Sequence, residues 1–434
     1  MYNLSYMNIF DELKARRVLN NITNVDKANE FVNFKKMGLY CGFDPSFKSL
    51  HLGNYLMLVT LKRFIDAGYT AYAIIGGATG RIGDPSGKNS ERKLLDLKTI
   101  ENNVECITNQ IRKTIGAKII DNYEIYKGMD MLKIIDNYQF YKGMDMLDFL
   151  REVGKYFNVN SMLEKEIVSK RLEVGISFAE FAYTLIQSYD FYRLYSDYNV
   201  ALQIGGSDQW GNITNGVDFI RKKTDDNNKS FGMTVNLLTK ADGTKFGKSE
   251  SGAIYLDPEL TSPYSMYQFL INQNDADVEK LLLSLTFISI DEIKQIVKKH
   301  NENKAERYGQ KILAKTIVTD IHGQKEANKC IKLSELFFQG KIDELNDDDL
   351  LVVLNGIPKF DATDDKYNIV DVLVLLKACE SKSQARQLVN GKSIFVNNKL
   401  VEDINFIVDK TNAIKNQFSY IKKGKKNYFL INWK

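Results

Sequence analysis

The sequence has few of the residues on which a disulfide framework, a zinc site or a membrane anchor would rest. Its 434 residues include four cysteines, Cys41, Cys106, Cys330 and Cys379, far apart and with no Cys-x-x-Cys pair. That spacing speaks for free thiols in a reducing compartment and against zinc ligation. No apolar run approaches the ~20 residues a membrane helix needs. The first residues, MYNLSYMNIFDELKARRVLNN, carry acids early and lack an apolar core, so no secretory signal is read there. Net charge is only +4, from 59 basic and 55 acidic residues, which implies no partner by itself. Its distribution says more, because the final stretch is strongly basic.

What is present is a globular composition, 44% hydrophobic and 26% charged, in a chain long enough for two or three domains. One or two amphipathic helices are expected before residue 38. From Leu39 short apolar strands alternate with helices: LYCGF, a helix to Gly68, then YTAYAIIGG. That is the pattern of βαβ units on a parallel sheet. A strand is expected at AKIIDN (117–122), helices over 149–197, and another strand at NVALQIGGSD. The region from about 262 to 340 is predominantly helical and charged, and GIPKFDATDDKYN reads as a linker. The last unit, 368–434, combines two short helices with strands and a turn at Asn397-Asn398. A fifteen-residue tract, IIDNYEIYKGMDMLK (119–133), is followed at once by IIDNYQFYKGMDMLD (134–148). A single repeat cannot build a solenoid, so a local duplication looped out at the surface is the reading.

Four polar stretches fall on loops at the carboxyl ends of expected strands, where ligand crevices form in parallel sheets. In LYCGFDPSFKSLHLGN (39–54), His51 and Gly53 sit on a first helical turn, a place that favours a phosphate. GRIGDPSGKNSER (80–92) presents Asp84, Lys88 and Arg92, yet fails the P-loop spacing because Ile82 stands where a glycine is needed. GGSDQWGN (205–212) offers Asp208 and Gln209 at a strand end. DGTKFGKS (242–249) sets Lys245 and Lys248 among glycines, a loop suited to charge that develops during reaction. Each stretch taken alone is an ordinary loop or helix start.

Together, in order, they match a family. The chain resembles bacterial-type tyrosyl-tRNA synthetases, class I aminoacyl-tRNA synthetases, from end to end. HLGN (51–54) is similar to the family's HIGH motif and KFGKS (245–249) to its KMSKS motif. GGATGRIGDPSGK, ISFAEFAYTLIQSYDF and LQIGGSDQWGNI are longer and more specific matches. The resemblance implies a Rossmann-like α/β catalytic domain over 1–235, with a helical insertion at about 120–195. It further implies a KMSKS-like loop with an α-helical anticodon-stem domain (236–345), a linker (346–367) and an S4-like RNA-binding domain (368–434).

It also implies roles. Tyr40 and Asp190 would bond the phenolic hydroxyl of tyrosine; Tyr183, Gln187 and Asp84 would hold its ammonium group. Tyr183, Gln187 and Asp190 are spaced to share one helix face. Gly42, Asp44, Gly53, Asn54, Asp208, Gln209 and Lys248 would line ATP and the adenylate. His51, Lys88, Arg92, Lys245 and Lys248 would act on the pyrophosphate side. Lys382, Arg386, Lys392, Lys422 and Lys423 would meet tRNA phosphates, while most of Tyr420, Tyr428, Phe429 and Trp433 are core. ATP is expected as a substrate accompanied by Mg²⁺, with no permanent protein-bound metal. The other partners the resemblance implies are L-tyrosine, tRNA(Tyr) and a second subunit, with no membrane, and the location it implies is cytoplasmic.

Two departures matter. The fourth residue of the HIGH-like motif is Asn54, which can donate to an oxygen but carries no charge. The duplication leaves two candidates, Asn122 and Asn137, for an asparagine that contacts substrate in the family. Strand continuity favours Asn122; helix continuity favours Asn137.

Overall fold

The computed structural model describes residues 7–33, 36–86, 94–116, 131–165, 168–169, 175–240, 243–244, 246–249, 252–339, 341, 344–354, 357–424 and 427–434. The expected strand at 117–122, and with it Asn122, lies outside these residues, as do Lys88, Arg92 and Lys245. The chain divides into two compact units, one of Met1–Thr261 with Phe269–Ile321 and one of Ser262–Gln268 with His322–Lys434.

The first unit is built on six strands: β1 (Leu19–Ile22), β2 (Gly38–Phe43), β3 (Ala71–Ile75), β4 (Leu132–Asp136), β5 (Val200–Gly206) and β6 (Phe231–Val235). Their order is β1-β6-β5-β2-β3-β4, with β2 through β6 parallel and β1 antiparallel to β6. Strands such as AYAII and VALQIG are buried along nearly their whole length, as helix-covered parallel strands must be. The order runs outward from β2 to β4 on one side and from β5 to β6 on the other. The reversal falls between β2 and β5, so the crevice opens at their carboxyl ends.

Two findings differ from the sequence reading. The N-terminal region contains β1 as well as helices, Ile9–Ala15 and Val25–Asn33. LNNI is short and exposes both asparagines, and its pairing partner lies some two hundred residues away, so no local pattern reveals it. The strand beside β3 straddles the junction of the duplicated tract, Leu132 and Lys133 ending the first copy and Ile134–Asp136 opening the second, and pairs in register with Ala71–Ile75.

The helix Leu52–Asp66 is buried on almost every side. Its Arg63 and the neighbouring Arg16 share Glu12, at 3.0 and 2.7 Å, and donate to the carbonyls of Leu283, Thr286 and Ile288. Those carbonyls follow or end the helix Val278–Leu285, so the arginines satisfy groups a helix end leaves unpaired. A small hairpin, β7 (Lys248–Ser249) with β8 (Gly252–Ala253), belongs to the same unit.

In the second unit the expected linker carries structure. Asp347–Leu354 is helical, β9 (Lys359–Ala362) runs parallel to the last strand, and β10 (Lys366–Asn368) pairs with β13 (Ile407–Asp409). Phe360 and Ala362 turn inward from β9 while Lys359 and Asp361 face water, an alternation too short to stand out among Pro, Asp and Lys. β11 (Ile394–Val396), β12 (Lys399–Leu400), β14 (Phe418–Lys423) and β15 (Asn427–Trp433) complete the sheet, ordered β12-β11-β14-β15-β9. Asn397 and Asn398, at φ of 45° and 66°, form the two-residue turn between β11 and β12. The two expected helices, Ile369–Leu375 and Lys382–Asn390, cover a core of Ile369, Leu373, Ile394, Ile421, Ile431 and Trp433.

Candidate active site

The site begins at the end of β2. Gly42 is the exposed residue of an otherwise buried strand, and nothing stands within 4 Å of where its Cβ would be. Asp44 follows, accepting from Thr79 Oγ1 at 2.7 Å and from Tyr183 Oη at 3.0 Å. Glycine is required at 76 for this approach: a Cβ there would lie 2.2 Å from Asp44 Oδ1.

The long helix Phe178–Tyr198, capped by Ser177, turns Tyr183, Gln187 and Asp190 toward the sheet as their spacing requires. Gln187 Nε2 donates to Gln209 Oε1 at 3.3 Å, and Gln209 Nε2 donates to Asp84 Oδ2 at 2.6 Å. Asn212 also donates to Gln209 Oε1 at 3.2 Å, and Ser86 N donates to Asp84 Oδ1 at 2.9 Å. Asp84, Gln187 and Gln209, drawn from three elements, thus form one chain. Asp44 and Gln209, expected on the nucleotide side, touch residues expected to hold the amino acid.

Below lies a buried carboxylate. Asp190 accepts from Asn137 Nδ2 at 2.8 Å and from Tyr141 Oη at 2.7 Å. The Tyr40 hydroxyl and Gln187 Oε1 are buried with no hydrogen-bond partner among the described residues. Buried polar atoms are rarely left so, and a ligand bearing a hydroxyl and an ammonium group would supply what both need. Of the two asparagines the duplication offers, Asn137 is the one that lies within the described residues, and it stands beside this carboxylate. It follows β4 directly, is buried, and takes Ala78 N on its Oδ1 at 2.7 Å. Asn137→Ala is therefore expected to raise the KM for tyrosine about tenfold or more, whereas Asn122→Ala leaves it near the parent value; the reverse order would overturn the assignment.

Burial pushes the Asp190 carboxyl up to about 8, the two donors opposing that shift and Asp44 and Asp136 adding to it. An unfolded aspartate titrates near ~3.9. Between about pH 4 and about pH 8 the folded chain therefore holds a proton the unfolded chain has released. Stability present at the acid end is lost as pH rises through that window, by up to roughly 1.4 kcal/mol per unit. Asp190→Asn has no such term. Urea unfolding should show it gaining on the parent from pH ~5 to pH ~8, and parallel pH curves would refute this account.

The two signature motifs meet at the start of the helix Leu52–Asp66. His51 is its N-cap: His51 Nδ1 accepts from Asn54 N at 3.3 Å, and Asn54 Oδ1 accepts from His51 N at 3.1 Å. Asn54 thus completes a reciprocal capping box. Nδ1 being an acceptor, the neutral imidazole carries its proton on Nε2. Leu52 N donates to Ile254 O, and Ile254 N to Gly247 O, both at 2.9 Å. Gly247, at φ 88°, lies so close that a Cβ would stand 3.0 Å from Gly53 N. KFGKS and HLGN are thereby in direct backbone contact. Phe246 is buried against Phe269, 5.5 Å between centroids, and the Lys248 backbone is held in β7. Asp208 lies in the short 3₁₀ turn Ser207–Gln209 that follows β5.

In the second unit Lys382 pairs with Asp371 and Lys392 with Glu402, each at 2.6 Å, and Arg386 is exposed. Lys422 lies over the rings of Phe395 and Tyr428, and Lys423 donates to Ala378 O. Tyr420, Tyr428 and Trp433 are buried, so these aromatics are core, as expected.

Residues 33–339 match the family described as tRNA synthetases class I (W and Y), and residues 349–431 match the tyrosine–tRNA ligase SYY-like C-terminal domain. A tyrosine–tRNA ligase of Ureaplasma urealyticum is 50% identical over 426 residues, 98% of this chain and 99% of the relative. The chain belongs to the tyrosine–tRNA ligase family. A family member from Listeria welshimeri is 45% identical over 434 residues, covering 99% of this chain and all of its own. Among solved structures, a C-terminally truncated mitochondrial tyrosyl-tRNA synthetase of Aspergillus nidulans matches with a TM-score of 0.68 and 30% identity, over 76% of this chain and 94% of that one. Thr79, Tyr141 and Asn212 are members of the site that sequence reasoning missed. Thr79 and Asn212 sit inside the quoted motifs, but nothing in the motif says which polar residue faces inward. Tyr141 has no motif, and the duplication offers a second candidate in Tyr126.

Proposed function

We infer that this chain is a working tyrosine–tRNA ligase, which activates L-tyrosine with ATP and transfers it to the 3′ end of tRNA(Tyr). The observation that carries this reading is the Asp190 carboxylate, fixed by Asn137 and Tyr141 beside the unpartnered hydroxyl of Tyr40. A phenol placed there donates to Asp190 and accepts from Tyr40. Asp84, Tyr183 and Gln187 then face its ammonium group, with Asp84 as counter-ion. Tyrosyl-tRNA synthetases are themselves the established illustration of rejecting a substrate that lacks such a hydroxyl, at a ratio of about 10⁵, a general value and not one calculated from this structure.

Gly42 leaves backbone open to the nucleotide, Gly53 makes room for the His51 ring at its edge, and Asp44, Asn54, Asp208 and Gln209 border it. The tyrosine carboxylate, already ionised near pH 7, attacks the α-phosphate, so the protein needs no nucleophile of its own. Its work is positioning and stabilising the departing pyrophosphate. His51, through Nε2, and Lys88, Arg92, Lys245 and Lys248 are the groups proposed for that charge. Mg²⁺ belongs to this reading as an ion carried by the phosphates; among the described residues no group of three His, Cys, Asp or Glu assembles to hold a metal.

Lys382, Arg386, Lys392, Lys422 and Lys423, on the S4-like domain, are proposed to meet tRNA phosphates, with the helices of about 250–340 serving the anticodon stem. A homodimer is supported by Met146, Leu147 and Leu150, exposed together on the helix Met146–Glu152, which buries none of its residues; a single-subunit sedimentation mass would overturn it. No helix among the described residues is long and apolar enough to cross a membrane. A cytoplasmic location follows from tRNA charging. The deciding experiment is ATP–pyrophosphate exchange with tyrosine and with tryptophan. Tyrosine alone is expected to support exchange, and dependence on tryptophan would sink the reading.

A further inference from the structure

We propose that Tyr141 is a positioning residue for Asp190: its hydroxyl fixes the carboxylate beside Tyr40, favours its charged form, and so widens the preference for tyrosine over phenylalanine. The proposal rests on the reading that Asp190 meets the substrate hydroxyl.

The geometry sets two hydrogen-bond donors on one carboxylate. Asn137 is a fixed donor: Ala78 N occupies its Oδ1, so its Nδ2 must face Asp190. Tyr141, which closes the 3₁₀ turn Asn137–Phe140, has one proton and two acceptors in reach, Asp190 Oδ1 at 2.7 Å and Ile186 O at 2.8 Å. When Asp190 is charged, the phenolic proton goes to the carboxylate as a charge-assisted bond. When Asp190 is neutral, its own proton can go to Tyr141 Oη while Tyr141 donates to Ile186 O. The hydroxyl serves both states, but it is worth more to the charged one.

The other groups around Asp190 do not do this. Tyr40 faces it from β2 and Asp44 from the loop beyond; Asp136 faces it from the end of β4. Tyr183 and Tyr189 belong to its own helix, where Arg193 is engaged by Asp197 and the Tyr189 hydroxyl. Both neighbouring acids oppose the charge, so hydrogen-bond donors must offset the burial. The Tyr141 ring packs between Phe149 and Tyr189, at 6.3 and 5.5 Å, and a phenylalanine keeps that packing.

The test is Tyr141→Phe in the full chain, assayed by ATP–pyrophosphate exchange with tyrosine and with phenylalanine from about pH 6 to about pH 9. The acid limb of kcat/KM for tyrosine, which reports the free enzyme, is expected to move up by about one unit. The tyrosine-to-phenylalanine ratio at neutral pH should fall roughly tenfold, mostly through the KM for tyrosine. Tyr141→Met, which keeps bulk without the hydroxyl, should repeat both changes. Equal losses with both amino acids, or an unmoved limb and ratio, overturn the proposal. Asp190→Asn in the same assay keeps the two readings apart: if it too leaves limb and ratio intact, the assignment of Asp190 to the substrate hydroxyl fails instead.

Discussion

Asp190→Ala is expected to lower kcat/KM for tyrosine on the order of 10³-fold while the variant stays folded. The substitution removes a charge-assisted bond to the substrate, takes the carboxylate away from the unpartnered Tyr40 hydroxyl, and leaves Tyr141 with only Ile186 O and Asn137 Nδ2 with only Thr79 Oγ1. The charge-assisted bond to the substrate is worth ~1.5–3 kcal/mol and each weakened buried bond about 1 kcal/mol, though part is recovered if water enters the space. Folding itself is protected, because the apo protein no longer has to bury an acid whose pKa stands near 8. The loss should therefore appear in tyrosine binding and in kcat/KM, measured by exchange, while activity with phenylalanine falls far less. A variant that still discriminates the two amino acids as the parent does would remove Asp190 from the specificity pocket.

Much of this site is legible in the sequence because its parts are local. HLGN shows a helix start, and the spacing of Tyr183, Gln187 and Asp190 shows a shared face. The alternation of strands and helices places four loops at one sheet edge. The same locality explains what was hidden. β1 is recognisable only through β6, far along the chain. The identity of the strand beside β3 cannot be read from a tract written twice, because both copies open on the same IIDN; among the described residues the strand crosses their junction, from Leu132 at the end of the first copy to Asp136 in the second. The sequence suggests that Asn54 makes a changed contact to the ligand; in the structure its side chain closes a capping box with His51, a role that needs an oxygen and not a charge. Tyr141 is a further case, a residue whose role depends on a carboxylate 49 residues away in sequence.

Gly247→Val should separate adenylate formation from tyrosine binding. At φ 88° the residue occupies backbone space that a β-branched side chain enters only with strain, and its Cβ would stand 3.0 Å from Gly53 N and 3.4 Å from Leu52 Cβ. Those atoms belong to the first turn of a buried helix, so the helix will not yield and the loop must. Moving the loop would displace Lys245 and Lys248, the two lysines proposed above for the pyrophosphate side, together. Removing one such stabilising group costs about 10²–10³ in kcat, so losing the placement of both should cost roughly 10³-fold or more. Among the described residues, the hydrogen bonds to Asp190 come from Asn137 and Tyr141 and not from this contact, and tyrosine affinity should change little. Alanine at the same position carries the same positive φ with a smaller collision, and is expected to fall between valine and the parent. Single-turnover adenylate formation, with equilibrium binding of tyrosine measured beside it, decides the matter. If both fall equally in Gly247→Val, the loop supports the whole site and not the departing phosphate alone.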